Sequence, residues 1–121
     1  MKRMVVVALA ALAFSAAAAD AVVGLGASMS CGDWTAERAS PRDSKGSADI
    51  KELAMVSWIQ GYASGMNMGY ANLDKRKMVD FVSYNSIVSW VDTYCKANPF
   101  DSLFVATTLM VGDLRVRQGI K

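Results

Sequence analysis

Few side chains here are capable of covalent or acid–base chemistry. The sequence has no His, so the base that most often activates a Ser or Cys nucleophile is missing. Ser57 and Ser64 fall in helical pattern without a base at readable spacing, and read as small residues on a helix face. Asp74, Asp80, Asp92, Asp101 and Asp113 supply carboxylates. Acid–base catalysis needs two of them held at one reacting atom with separated pKa values; Asp101 reads instead as a helix cap and the others as solvated. Neither a phosphate-cradling P-loop nor a dinucleotide fingerprint is present. The basic run Lys75-Arg76-Lys77 lies between Asp74 and Asp80, which fits a solvated loop better than a nucleic-acid surface. The expectation is a protein without enzymatic activity, catalytic residues, cofactor, metal or nucleic-acid partner.

The two cysteines, Cys31 and Cys95, take their meaning from the start of the chain. Met1-Lys2-Arg3 is followed by a small-apolar run from Met4 to Ala19, the pattern of a secretory signal peptide. The run is interrupted by Ser15 and falls short of the ~20 apolar residues that span a bilayer, so a cleaved leader is expected rather than a membrane anchor. Ala19-Asp20-Ala21 places cleavage before Val22, and Ala17-Ala18-Ala19 offers a second site. An exported, periplasmic protein with two cysteines and no His favours a disulfide over a zinc site or a reactive thiol. Closing the segment Cys31–Cys95 contributes on the order of 4 kcal/mol by restricting the unfolded chain.

Beyond residue 21 about 100 residues remain, enough for one small domain. They carry 11 of the 13 Lys and Arg and 10 of the 11 Asp and Glu, so that part is nearly neutral at pH 7. Residues 22–29, rich in Gly, Ala and Val, read as a flexible lead-in to a single domain over 30–117. Ser30 with Asp33 has capping-box spacing and opens a short helix over 31–39 that carries Trp34. A polar loop follows over 40–47. Asp49 and Glu52 then signal a long helix over about 50–70, with Leu53, Val56, Ile59, Ala63, Met66 and Tyr70 as its apolar stripe. Gly61, Gly65 and Gly69 form a line on that helix, each costing about 1 kcal/mol relative to Ala. They are read as a groove that receives another helix, in which case Gly65→Leu overpacks by about 1 to 3 kcal/mol.

Residues 71–84 fit either a turn of helix or a covered loop. Asn85 or Ser86 caps a third helix with Ile87, Trp90, Val91, Tyr94 and Cys95 on one face, ended by Asn98-Pro99. A fourth, over about 100–116, has the stripe Phe100, Leu103, Phe104, Thr107, Val111 and Leu114. The fold expected is all-α, a compact bundle of three to four helices closed by one disulfide. Met55, Met66, Met68, Met78 and Met110, with Trp34, Trp58 and Trp90, supply adaptable apolar surface. Trp58, Tyr62, Met66 and Trp90 are the candidate protein-binding residues.

With Cys31-Gly32-Asp33-Trp34, Trp58-Ile59-Gln60-Gly61-Tyr62 and Tyr94-Cys95-Lys96-Ala97-Asn98-Pro99 in that order, the chain resembles the HdeA/HdeB-like family of small periplasmic acid-stress proteins. The resemblance covers most of residues 31–110. It implies a chaperone that binds unfolding clients in acid. The same layout of Gly-Tyr, a later Gly and a late Cys also looks like periplasmic immunity proteins of the Rap/Tai type, which implies stoichiometric inhibition of a type VI secretion effector. Partners on either reading are other proteins. A monomer and a homodimer are both compatible with the sequence.

Overall fold

Serine hydroxyls set where three of the helices begin. In the computed structural model, which describes residues 24–42, 50–73 and 77–121, the elements are α1 (Leu25–Ser28), α2 (Cys31–Arg38), α3 (Ile50–Leu73), α4 (Tyr84–Ala97) and α5 (Leu103–Arg117). Ser30, Ser83 and Ser102 precede α2, α4 and α5 in extended conformation, and their hydroxyls accept the backbone N–H groups of Asp33, Ser86 and Val105. Such caps each contribute about 1 kcal/mol by satisfying an orphan donor. Ser30 completes the expected capping box, because the Asp33 carboxylate accepts the Ser30 backbone N–H in return at 2.8 Å. The other two starts correct the sequence reading. Asn85 and Ser86 lie inside the first turn of α4, whose cap is Ser83. Asp101 is not a cap: Ser102 is.

Asp101 accepts the Tyr94 hydroxyl through its carboxylate and joins α2 to α5 through its backbone. Its carbonyl accepts the Cys31 N–H at 2.7 Å, the Pro99 carbonyl accepts the Gly32 N–H at 2.9 Å, and the Met29 carbonyl accepts the Leu103 N–H at 3.0 Å. A short antiparallel bridge between Ser30 and Ser102 results, so the starts of α2 and α5 are satisfied jointly. The disulfide Cys31–Cys95 joins the same place to the last turn of α4, with both cysteines fully buried. Asn98 closes α4 through its N–H to the Tyr94 and Cys95 carbonyls, immediately before Pro99, as expected. The turn 99–102 leaves Phe100 98 % exposed, which removes it from the expected stripe of α5.

The described residues form an all-α bundle with one disulfide. Its core gathers Trp34 from α2, Met55, Val56, Ile59 and Ala63 from α3, Ile87, Val88 and Val91 from α4, and Leu103, Ala106, Met110 and Val111 from α5. Helix α5 packs on both α3 and α4, while α2 lies against α3, α4 and α5. On α3 the expected stripe holds at Val56, Ile59 and Ala63, with Met66 and Tyr70 packed against the core, but not at its start. Leu53 is half exposed, and Glu52 and Met55 take inward positions.

Three further expectations are corrected or refined. The segment 22–29 is not a featureless lead-in where it is described, since α1 forms there and contacts α3 and α5. Helix α3 runs on to Leu73, and residues 77–83 form a largely exposed loop held at the buried Val79, neither a turn of helix nor a covered loop. The buried Asn67 amide pairs with both backbone groups of Val79 (2.8 and 2.7 Å), while the Gln118 amide does the same for Asp80 (2.7 and 3.0 Å). Lastly, the line Gly61, Gly65, Gly69 is no packing groove, because a Cβ at any of them meets no described atom within 4 Å. The signal segment, the Asp49 cap and the pair Lys75 and Arg76 lie outside the described residues.

The open glycine line reverses the earlier expectation for Gly65. Gly65→Ala meets no described neighbour and gains helix propensity, so it should stabilise the protein by about 0.5 to 1 kcal/mol in chemical denaturation.

Candidate functional site

The four candidate binding residues do not form one patch. Trp58 stacks on Tyr62 (centroids 5.1 Å apart, planes 14° apart), and Tyr62 meets Phe104 at 5.4 Å in a tilted arrangement. The Tyr62 hydroxyl lies 3.4 Å from that of Thr108. Trp58, Tyr62 and Phe104 therefore make an aromatic strip along the junction of α3 and α5, each of them partly buried. Met66, one turn beyond Tyr62, packs against the core.

Trp90 is elsewhere, in an open groove between α4 and α5 of about 890 Å³. It stacks on Tyr94 with centroids 5.3 Å apart. Its indole N–H donates to Asp113 at 2.8 Å, and the Arg117 guanidinium donates to the same carboxylate oxygen at 2.7 Å. Leu109 and Gly112 line the same groove. At about 100° per residue, Phe104 and Thr108 lie on one flank of α5 and Asp113 on the other. Two aromatic surfaces thus flank that helix.

The strongest polar arrangement corrects the reading of Asp92 as a solvated carboxylate and of Glu52 as a helix-start signal alone, and brings in Arg38. Arg38, in the last turn of α2, donates from Nε (3.0 Å) and Nη2 (2.8 Å) to Asp92 of α4, and from Nη1 (2.8 Å) to Glu52 of α3. The Trp34 indole N–H donates to Asp92 at 2.8 Å, and the Arg38 guanidinium lies 5.8 Å from the Trp34 ring centre. Arg42 adds a second pair to Glu52, at 3.0 Å. Glu52 is 3 % exposed, and these two arginines compensate its burial. The Arg38 pKa is raised, chiefly by the hydrogen bond to Asp92, so the arginine is a fixed charge. The sequence did hold a clue: Glu52 precedes Val56, Ile59 and Ala63 by four, seven and eleven residues, in phase with the core.

Arg115, itself buried, sits over the Tyr70 ring at 4.5 Å and donates to the main-chain oxygens of Lys77 and Lys121. Ser57 and Ser64 are both exposed. Among the described residues no group of three or more His, Cys, Asp or Glu could hold a metal ion, and no helix is long and apolar enough to cross a membrane.

Fold and site together define a disulfide-closed helical bundle with two partly exposed aromatic surfaces and a carboxylate–arginine node between its helices. Comparison with family models, with curated proteins and with solved structures finds no match to this chain.

Two pH responses follow from the groove. The Asp113 pKa is lowered, first by the Trp90 hydrogen bond and then by Arg117. Its contribution is complete above the ordinary value of 3.8 and is lost as pH falls through the lower folded value. Asp113→Asn should therefore be less stable than the wild type at neutral pH, with the gap closing at the acid end of a denaturation series. Tyr94 donates its hydroxyl to Asp101, which together with burial pushes its pKa up to about 12. That contribution holds below the ordinary 10.0 and disappears as pH rises through about 12, so Tyr94→Phe should lose less stability than the wild type across that interval.

Proposed function

We propose that the protein is a periplasmic protein-binding protein, an HdeA-like acid-stress chaperone that loosens in acid and holds unfolding clients, and not an enzyme. The observation that carries this reading is the Arg38 node, where a single guanidinium ties α2 to α3 and α4 through carboxylates. Three helices are thus joined at one contact whose strength depends on charge pairing.

Net charge works in the same direction. Beyond residue 21, 11 Lys and Arg face 10 Asp and Glu. Near pH 2 most carboxylates are neutral while the basic groups stay charged, and the nearly neutral chain becomes strongly cationic and repels itself. The disulfide sets a limit on that loosening by holding the first turn of α2 to the last turn of α4. Trp58, Tyr62, Met66 and Trp90 are the proposed client contacts, all of them partly buried in the closed state and available to an unfolding chain once the helices separate.

The test mixes the oxidised protein with an acid-sensitive periplasmic protein at pH 2 and pH 7 and follows light scattering. Suppression of aggregation at pH 2 and not at pH 7 is expected. Aggregation unchanged at both values, with the helical circular dichroism intact in acid, would reject the chaperone reading and put inhibition of a secreted effector in its place.

A further inference from the structure

Two glycines in the segment before Cys31 have a structural cause that flexibility does not supply. Gly24 has a φ of +87°, a conformation that residues with a Cβ rarely adopt. A Cβ on it would lie 3.2 Å from the Trp58 indole nitrogen. At Gly26 a Cβ would fall 1.9 to 2.1 Å from three carbons of the six-membered ring of Trp58, inside the ring's own volume. The backbone of α1 is therefore laid directly on the indole, at the end of the strip that continues to Tyr62 and Phe104.

Helix α1 packs on α3 and α5 but is short. It is a single four-residue turn, far below the length at which a helix is stable by itself. The backbone bond from Leu103 N–H to the Met29 carbonyl and the Ser30–Ser102 bridge hold the chain just after it, and Cys31 anchors that point covalently. A short segment anchored at Cys31 and resting on an aromatic surface behaves as a tethered ligand for that surface.

We propose that Trp58, Tyr62 and Phe104 form a peptide-binding strip, that α1 is its occupant in cis, and that its partner is an apolar segment with a small residue where it meets the indole. This rests on the protein-binding reading given above and deepens it. The chemistry of the partner is read from α1, whose backbone reaches the ring face only because positions 24 and 26 lack side chains. While α1 is seated, the affinity of the strip for a partner is lowered in proportion to the fraction of molecules with the strip open.

The probe is a fluorescein-labelled peptide with the sequence of Val22 to Met29, titrated with the oxidised full-length protein at pH 7 and followed by anisotropy. Gly26→Val should unseat α1 and strengthen peptide binding about tenfold, and Trp58→Ala added to it should abolish the gain. Equal affinity in wild type and a folded Gly26→Val overturns the proposal, as does tighter binding that survives Trp58→Ala. Hydrogen exchange on the wild-type protein needs no variant to fold. Saturating peptide should speed exchange at the amides of residues 24–29, and unchanged or slower exchange there contradicts the cis-occupant assignment. Because the probe is a short peptide at neutral pH, a strip that binds it in a protein unable to protect clients at pH 2 rejects the chaperone reading and retains the strip.

Discussion

The guanidinium of Arg38 divides its donors between carboxylates of two other helices, and that division fixes how the bundle is assembled. Asp92 takes two of its N–H groups and the Trp34 indole N–H besides; Glu52 takes a third and is buried almost completely. Buried or half-buried charge is costly unless every partner stays in place. The node is consequently intolerant of small displacements between α2, α3 and α4 in a way that the surrounding Met, Val and Ile side chains are not, since apolar contacts can be exchanged for one another. The apolar core supplies most of the driving force for folding. The node and the disulfide, placed at opposite ends of α2, set which packing is chosen.

Those two ties respond differently to the environment, which is the physical content of the functional proposal. The disulfide is indifferent to acid, whereas the node depends on carboxylate charge. On the proposed reading, loss of charge pairing would free the Arg38 end of α2, while the disulfide keeps its Cys31 end attached to α4. Lowered Asp113 and Asp33 pKa values, from Trp90 and Arg117 in one case and from the Ser30 cap in the other, place further acid-labile stability at the groove and at the start of α2.

Much of the fold was legible in the sequence because it rests on local chemistry. The Ser30–Asp33 capping box, the stop at Asn98-Pro99, the Ile87, Val91, Cys95 face and the single possible disulfide depend on neighbours within a turn or on residue type alone. What escaped was set by tertiary contacts. The glycine lines take opposite roles to those expected: Gly61, Gly65 and Gly69 meet no neighbour among the described residues, whereas Gly24 and Gly26, read as lead-in, meet Trp58. Spacing shows that glycines share a face but not what that face meets. The same limit applies to the site. Residue type singles out Trp58, Tyr62, Met66 and Trp90 as candidates for protein binding, yet no pattern shows that the aromatics among them flank α5 on two sides. Glu52 was passed over as a helix-start carboxylate although its phase with Val56 and Ile59 placed it inward, and Arg38 and Asp92, 54 residues apart, have no sequence relation at all.

The central claim is that charge pairing at Arg38 couples α2 to α4 at neutral pH and ceases to do so in acid. A double-mutant cycle with Arg38→Met, Asp92→Asn and the double variant, measured by chemical denaturation of the oxidised protein at pH 7 and again at the lowest pH where all four proteins still fold, tests it most directly. The account predicts a coupling of about 1 to 3 kcal/mol at pH 7 that shrinks as pH falls through the carboxylate range. A coupling near zero at pH 7, or one of the same size at both pH values, would contradict it.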